Sequence, residues 1–145
     1  MTLYFAYGSN MSRAAMAARC PGAQALGVAE LSGWRFIIGG GYASIAPMPG
    51  GEVFGILWRL TARDVAALNA YENIDSGLYR REQLTVRHEG AAKSAMVYIG
   101  RGEGRPRPGA VELIVEAARE WQLPRDYMRG LQRWLPPMHG AGANR

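Results

Sequence analysis

Strand-patterned segments follow one another along this chain at hairpin-length intervals, and this order limits the choice of fold more than any other feature. The first is residues 3–7, an aromatic and apolar run that ends at a glycine turn. Further strand candidates cover residues 25–38, 42–46, 52–60, 78–88 and 94–99. Runs of strands are typical of α+β folds, whereas a doubly wound fold alternates each strand with a helix.

Turn residues divide these segments. Pro47–Gly51 predicts a hairpin turn between the third and fourth strands, and Glu89–Gly90 predicts one between the last two. Ser32–Gly33 predicts a break within the long second strand. The polar Gly/Pro/Arg segment from Gly100 to Gly109 is predicted to be a loop.

Helix signals lie between and after the strands. Ser12 is a suitable N-cap for a helix over 13–19, which Pro21–Gly22 closes. Thr61 with Asp64 resembles a capping box and begins a helix that continues to about Tyr71. Two more helices are predicted over 110–122 and 125–134.

These elements predict an α+β fold, a mostly antiparallel sheet or small barrel with flanking helices. The chain has 145 residues, enough to bury one core without disulfides or metals, so a single domain over residues 1–135 is expected. Residues 136–145 carry no apolar periodicity and are predicted to be a flexible C-terminal tail.

Charge and cysteine content narrow the classes of function. The net charge is +5, carried almost entirely by arginines scattered along the chain. Dispersed charge contributes to solubility more readily than it forms a binding surface for nucleic-acid phosphates, so nucleic-acid binding is kept only as an alternative. No apolar run reaches the length of a bilayer span, so no membrane association is predicted. The lone Cys20 is expected to be an unreactive thiol, packed or partly exposed, in a cytoplasmic protein.

The helix that ends near residue 72 places a carboxylate on an apolar face. Glu72 follows Leu68 by four residues and Val65 by seven, so helical spacing puts the three on one stripe. Desolvation and the negative end of the helix dipole would raise the pKa of Glu72 toward a range useful for proton transfer. The alternative is that the helix ends earlier and the side chain points into water. Three other glutamates lack this placement and are assigned to the solvated surface: Glu82, Glu112 and Glu116.

The turn Gly8–Ser9–Asn10 is the second candidate feature. A buried strand that runs through a glycine turn into a helix exposes several backbone N–H groups in one place, which suits a carboxylate or an oxyanion. The sequence has no P-loop and no Gly-x-Ser-x-Gly nucleophile motif. Its two histidines and single cysteine lie far apart, so no metal site is predicted.

Four segments together resemble the γ-glutamylcyclotransferase family. They are Tyr4–Asn10 (Tyr-Phe-Ala-Tyr-Gly-Ser-Asn), Glu52–Trp58, Leu68–Tyr79 and Leu123–Tyr127. The matches keep their order and span nearly the whole chain apart from the tail. Four ordered matches are much more specific than any one of them.

The resemblance implies a small barrel with a pocket for a γ-glutamyl group and an enzyme that needs no cofactor. Glu72 matches the family's acid/base. The matching substrate-binding residues are Tyr4, Phe5, Ala6, Tyr7, Gly8, Ser9 and Asn10, with Tyr79 as a further pocket candidate that could equally belong to the core. Relatives that cleave glutathione carry leucine after Tyr-Gly-Ser, so Asn10 favours γ-glutamyl amino acids or amines as substrates.

The implied reaction is an attack by the substrate's own α-amine on its γ-amide carbonyl, which releases 5-oxoproline and a free amine. Two positions depart from the family. Asn73 stands where glycine often follows the catalytic glutamate, and Ala110 stands where some members have a substrate-contacting tyrosine. A non-catalytic γ-glutamyl-binding protein remains an alternative, and the sequence leaves open whether the chain forms a homodimer.

Overall fold

Among the residues that the structure describes, five strands close into a barrel in the order β1-β3-β2-β4-β5. The computed structural model describes residues 2–39, 41–72, 79–100 and 109–135. The strands are β1 Thr2–Ala6, β2 Gln24–Gly39, β3 Tyr42–Leu60, β4 Tyr79–His88 and β5 Ala91–Gly100. Neighbouring strands pair antiparallel except β1 with β5, which meet in parallel at Tyr4 and Met96. The predicted α+β class, a mostly antiparallel small barrel with flanking helices, is confirmed.

In the described parts of the chain, four helices flank the barrel: α1 Arg13–Arg19, α2 Ala62–Tyr71, α3 Ala110–Glu120 and α4 Arg125–Gln132. The third helix buries one face at i, i+3, i+4 and i+7 spacing, formed by Val111, Ile114, Val115 and Ala118. This face joins the common core, in which Phe5, Ile56, Leu57 and Val97 are fully buried.

Both predicted helix caps are present. Ser12 Oγ accepts a hydrogen bond from the Ala15 N–H at 3.2 Å. Thr61 and Asp64 form the reciprocal capping box, with N···O distances of 3.1 and 3.0 Å. The buried Asp64 carboxylate also accepts from the Gly22 N–H at 3.2 Å, which ties the start of α2 to the chain after α1.

The predicted hairpin turn at Pro47–Gly51 is wrong. The chain there continues as β3, and β2 pairs with it on both sides, Ser32 with Glu52 and Trp34 with Pro47. The residues between Pro47 and Glu52 form a bulge opposite Gly33. Proline has no N–H for the strand ladder, so pairing is interrupted there and resumes with the same strand beyond the bulge. The predicted break at Ser32–Gly33 is the other half of this bulge, where Gly33 has φ +86°. The chain reverses between Gly39 and Tyr42, and Glu89–Gly90 is a hairpin turn as predicted.

Cys20 is packed as expected. It is buried, and its thiol donates to the Asp64 carbonyl oxygen at 3.7 Å. Burial, with the nearby Asp64 carboxylate, raises the pKa of the thiol to about 11. The thiolate is therefore scarce near neutral pH.

Several predictions concern parts of the chain outside the described residues. They are the segment from Asn73 to Gly77, most of the Gly100–Gly109 loop and the tail over 136–145. Among the helices that the structure describes, none has the length and apolar character needed to cross a bilayer.

Candidate active site

A cavity of about 770 Å³ opens beside the C-terminal end of β1. Seven residues predicted for the site line it: Tyr4, Tyr7, Gly8, Ser9, Asn10, Glu72 and Tyr79. Phe5 and Ala6 are buried in the core and are not among the described residues that line the cavity. Phe5 lies on the opposite face of β1 from Tyr4, because side chains alternate along a strand. The structure thus brings together the turn and the carboxylate, which lie some sixty residues apart in the sequence.

Glu72 lies at the C-terminal end of α2. The helix ends at Tyr71, and the Glu72 N–H still donates to the Leu68 carbonyl oxygen at 2.8 Å. Leu68 is fully buried and Val65 packs against the core, so the apolar stripe is present as predicted. The Glu72 side chain follows this stripe into the cavity wall instead of standing free in water.

Burial raises the pKa of the Glu72 carboxyl to about 7, and the positive charge of Arg19 partly opposes this rise. A carboxyl with this pKa is populated in both protonation states near neutral pH. It can therefore accept a proton and return it without a large free-energy penalty in either direction.

The turn after β1 lines the cavity with Gly8, Ser9 and Asn10. Residues Ser9–Met11 form a single 3₁₀ turn in which the Met11 and Ser12 N–H groups are used internally, both at 3.0 Å. The Ser9 and Asn10 N–H groups donate to no acceptor within the described parts of the chain. A Cβ atom at Gly8 would lie 3.1 Å from Ala43 Cβ, so glycine lets this turn pack closely against β3.

The buried Asn10 side chain links two groups of the wall. Its Nδ2 donates to the Tyr4 hydroxyl oxygen at 3.1 Å, and its Oδ1 accepts a hydrogen bond from Arg19 Nη1. Asn10 therefore fixes the positions of a tyrosine and an arginine at once. A buried amide with both ends bonded is held firmly, since losing either partner would leave an unsatisfied polar group.

Three of the tyrosine hydroxyls around the cavity donate hydrogen bonds to the protein. Tyr7 donates to the Tyr98 carbonyl oxygen, Tyr79 to the Ala43 carbonyl oxygen at 2.8 Å, and Tyr98 to Asn69 Oδ1 at 2.7 Å. Burial raises the pKa of Tyr98 to about 12 and moves the pKa of Tyr7 upward as well. Tyr7 and Tyr98 are therefore neutral near pH 7 and cannot act as bases. For Tyr79 the sequence left open a place in the pocket or in the core. The structure shows both, since Tyr79 is buried and also lines the cavity.

Sequence reasoning missed Arg19 and Tyr98. Arg19 is one of many scattered arginines, and only the folding of α1 against the end of β1 brings it to Asn10. Tyr98 lies in a predicted strand, but the sequence does not show which face of that strand lines a cavity, because this depends on how the barrel closes. Ala110 lies at the cavity edge, as does Glu112, which is exposed as the sequence predicted.

No group of three or more histidine, cysteine, aspartate or glutamate side chains is arranged to hold a metal ion in the described ranges. The arrangement instead offers a carboxyl that titrates near neutrality, neutral hydroxyls, one cation and free backbone N–H groups. These are the elements of general acid–base chemistry on a small polar molecule.

Comparison with known proteins assigns the family. The family model described as "Gamma-glutamyl cyclotransferase, AIG2-like" matches residues 4–123. The γ-glutamylcyclotransferase of Mus musculus is 31% identical to this chain, and the alignment covers 92% of this chain and 79% of the mouse protein. The Homo sapiens γ-glutamylcyclotransferase is 30% identical over the same shares of the two chains.

A solved structure named γ-glutamyl cyclotransferase has the same fold, with a TM-score of 0.86 and 26% sequence identity. The match covers 99% of this chain and 93% of that one. This chain belongs to the γ-glutamyl cyclotransferase, AIG2-like family.

Proposed function

We propose that this chain is a γ-glutamylcyclotransferase that converts γ-glutamyl amino acids or amines to 5-oxoproline and the free amino acid or amine. The observation that carries the proposal is the Glu72 carboxyl, which has a pKa of about 7 and shares a cavity with the Gly8–Asn10 turn. Family membership supports the same reaction, because the curated relatives are named for it.

Glu72 acts as the base and then as the acid. The α-ammonium group of the substrate is not nucleophilic, so the Glu72 carboxylate first removes one proton from it. The freed amine attacks the γ-carbonyl carbon and closes a five-membered lactam. The bond to the departing nitrogen breaks as Glu72 returns this proton to that nitrogen. The ring nitrogen then loses its second proton through Glu72 to the released amine, which leaves as an ammonium ion, so one residue carries both proton transfers.

The rest of the site positions the substrate. The amine and the carbonyl belong to one molecule, so the protein needs to fold that molecule and stabilise the oxyanion. The Ser9 and Asn10 N–H groups are suited to the γ-carbonyl oxygen, because they donate to no acceptor in the described residues and belong to residues that line the cavity. Tyr4, Tyr7 and Tyr79 form the wall that holds the glutamyl chain.

Incubation of the purified protein with a panel of γ-glutamyl amino acids and γ-glutamyl amines is expected to release 5-oxoproline in equal amounts with the free amine. Chromatography of both products measures this stoichiometry. A ligand that raises the thermal midpoint without any product would instead identify a non-catalytic binding protein. Glutamate in place of 5-oxoproline would show hydrolysis and contradict the proposed reaction.

The pH dependence of kcat/KM is expected to have an acid limb centred near pH 7. Glu72 must be ionised to accept the proton, and its pKa in the free protein is about 7. Below that pH the rate is expected to fall about tenfold per pH unit, because only the ionised fraction can act as the base. Initial rates from pH 5 to 9 at low substrate concentration measure this limb. An acid limb near pH 4.5 would show that a carboxyl with an ordinary pKa controls the rate.

A further inference from the structure

Arg19 is fixed at the cavity wall from two sides. It lies in the last turn of α1, where its Nη1 donates to Asn10 Oδ1. Its guanidinium carbon lies 4.0 Å from the centre of the Tyr71 ring, in a cation–π contact. The side chain is thus held in one orientation, half-buried, at the edge of the space that a substrate would occupy.

Arg19 also has unused donor capacity. A guanidinium carries five N–H donors, and one is given to Asn10. In the described part of the chain, Arg19 forms no salt bridge with a carboxylate. Arg13, at the other end of the same helix, differs in this respect, since it stacks on Trp121 and also pairs with Glu120 at 3.7 Å.

The charge of Arg19 acts on the same part of the cavity as Glu72. Arg19 lowers the pKa of Glu72, yet the two groups are not in salt-bridge contact. Among the described residues that line the cavity, Arg19 is the one basic side chain. A base and a cation are therefore near each other without neutralising each other directly.

A γ-glutamyl substrate has matching groups on a single carbon atom, its α-ammonium and its α-carboxylate. If Glu72 receives a proton from the nitrogen, the carboxylate must lie beside it. An arginine fork suits a carboxylate because two N–H donors can bind its two oxygens. We propose that Arg19 binds the α-carboxylate of the γ-glutamyl group and makes the site selective for substrates that carry it.

This assignment rests on the proposed function and adds a specificity residue to it. It divides the oxygen-binding groups of the cavity into two sets. The guanidinium takes the α-carboxylate, which is common to every γ-glutamyl compound whatever amine departs. The Ser9 and Asn10 N–H groups are then left for the γ-carbonyl oxygen, where negative charge develops during the attack.

The test compares two substrates that differ only in the α-carboxylate. One is a γ-glutamyl amide, and the other is the 4-aminobutanoyl amide of the same amine, which closes to 2-pyrrolidinone by the same bond changes. The unmodified protein is expected to favour the first by roughly 10²-fold or more in kcat/KM, because a charge-assisted pair is lost with the second. Arg19→Met is expected to reduce this preference to less than about tenfold, and Arg19→Lys to retain part of it. An undiminished preference in Arg19→Met would overturn the assignment.

Two further measurements separate the possible roles of Arg19. Arg13→Met is the matched control, since it removes a stacked arginine from the same helix outside this cavity, and it is expected to keep the preference. Arg19→Met is expected to lower kcat/KM by the same factor for γ-glutamyl-alanine and γ-glutamyl-ethylamine. A loss confined to γ-glutamyl-alanine would place the carboxylate of the departing amino acid at Arg19 and overturn the proposal.

Binding of the products keeps the result independent of turnover. Calorimetry on the Glu72→Gln protein is expected to show tighter binding of 5-oxoproline than of 2-pyrrolidinone, and the added Arg19→Met change is expected to remove the difference. If the unmodified protein made no 5-oxoproline but this difference were present, the carboxylate site would stand and the proposed reaction would fail. Equal binding of both lactams by the Glu72→Gln protein would contradict the carboxylate site.

Discussion

Replacing Glu72 with glutamine is expected to lower kcat for 5-oxoproline formation by about 10²–10⁴-fold, the range that general acid–base catalysis contributes. The amide has nearly the same shape as the carboxyl but cannot take a proton from the substrate ammonium. The Glu72 side chain lines the cavity. The hydrogen bond to the Leu68 carbonyl oxygen comes from the backbone N–H of Glu72, so the substitution should leave the end of α2 in place. Single-turnover measurement of 5-oxoproline gives the change in the chemical step.

Glu116→Gln is the matched control for this experiment. Glu116 is exposed on α3, and it is not among the described residues that line the cavity. The same chemical change there is expected to leave kcat within about twofold and stability within about 0.5 kcal/mol, as for surface substitutions in general. Full activity in Glu72→Gln would contradict the assignment of the acid/base.

The same substitution is expected to stabilise the protein at high pH. The pKa of Glu72 is about 7 in the folded chain against 4.5 for an ordinary glutamate. When folding raises the pKa of a carboxyl, the folded protein becomes less stable as the pH rises from the pKa of the unfolded state to that of the folded state. Glu72→Gln should therefore increase the free energy of unfolding by roughly 2–3 kcal/mol at pH 8 and by little at pH 4. Urea unfolding at the two pH values measures the difference, and an equal effect at both would show that Glu72 is not desolvated.

Gly55→Ala is expected to destabilise the fold by about 3 kcal/mol or more, as overpacking against a fixed backbone does. A Cβ atom at this position would lie 2.3 Å from the Ala6 carbonyl oxygen and 2.9 Å from the Phe5 ring. Ala6 is in β1, whose pairing with β3 cannot widen without separating the two strands. In a chain of this size the thermal midpoint should fall by about 10 °C. Because β1 carries Tyr4 and leads into the Gly8–Asn10 turn, the affinity for substrate should fall together with the stability.

Gly130→Ala provides the control of opposite sign. Gly130 lies in α4, and a Cβ atom there would meet nothing within 4 Å. Alanine is the better helix former, so this change is expected to stabilise the protein by about 0.5–1 kcal/mol. Thermal unfolding of the two variants side by side tests whether close strand packing or the loss of a glycine alone explains the effect at Gly55. A stability loss of similar size at both positions would exclude the packing explanation.

Features that depend on neighbours in the sequence were predicted well. The caps at Ser12 and Thr61 and the turn at Glu89–Gly90 are made by residues within a few positions of one another, so their residue types are sufficient to identify them. The stripe that carries Glu72 was also correct, because helical spacing alone defines it. By contrast, Pro47–Gly51 has the residue types of a hairpin turn but forms a bulge. Whether such residues reverse the chain depends on the strand that pairs beside them.

Other sequence-based predictions stay predictions. They are the extent of the domain over residues 1–135, a cytoplasmic location and the roles of the individual site residues. The tail and the position of Asn73 belong to the same group, since they lie outside the described residues.

Residue order and spacing alone were enough to indicate the fold class, the family resemblance and a glutamate on an apolar stripe. They could not give the depth of the cavity, the neighbours of Glu72 or the part played by Arg19. Those properties arise when β1, α1 and the end of α2 pack together around one space. Desolvation and charge act through space, so the raised pKa of Glu72 and the position of the Arg19 guanidinium at the cavity exist only after segments distant in the chain are in contact.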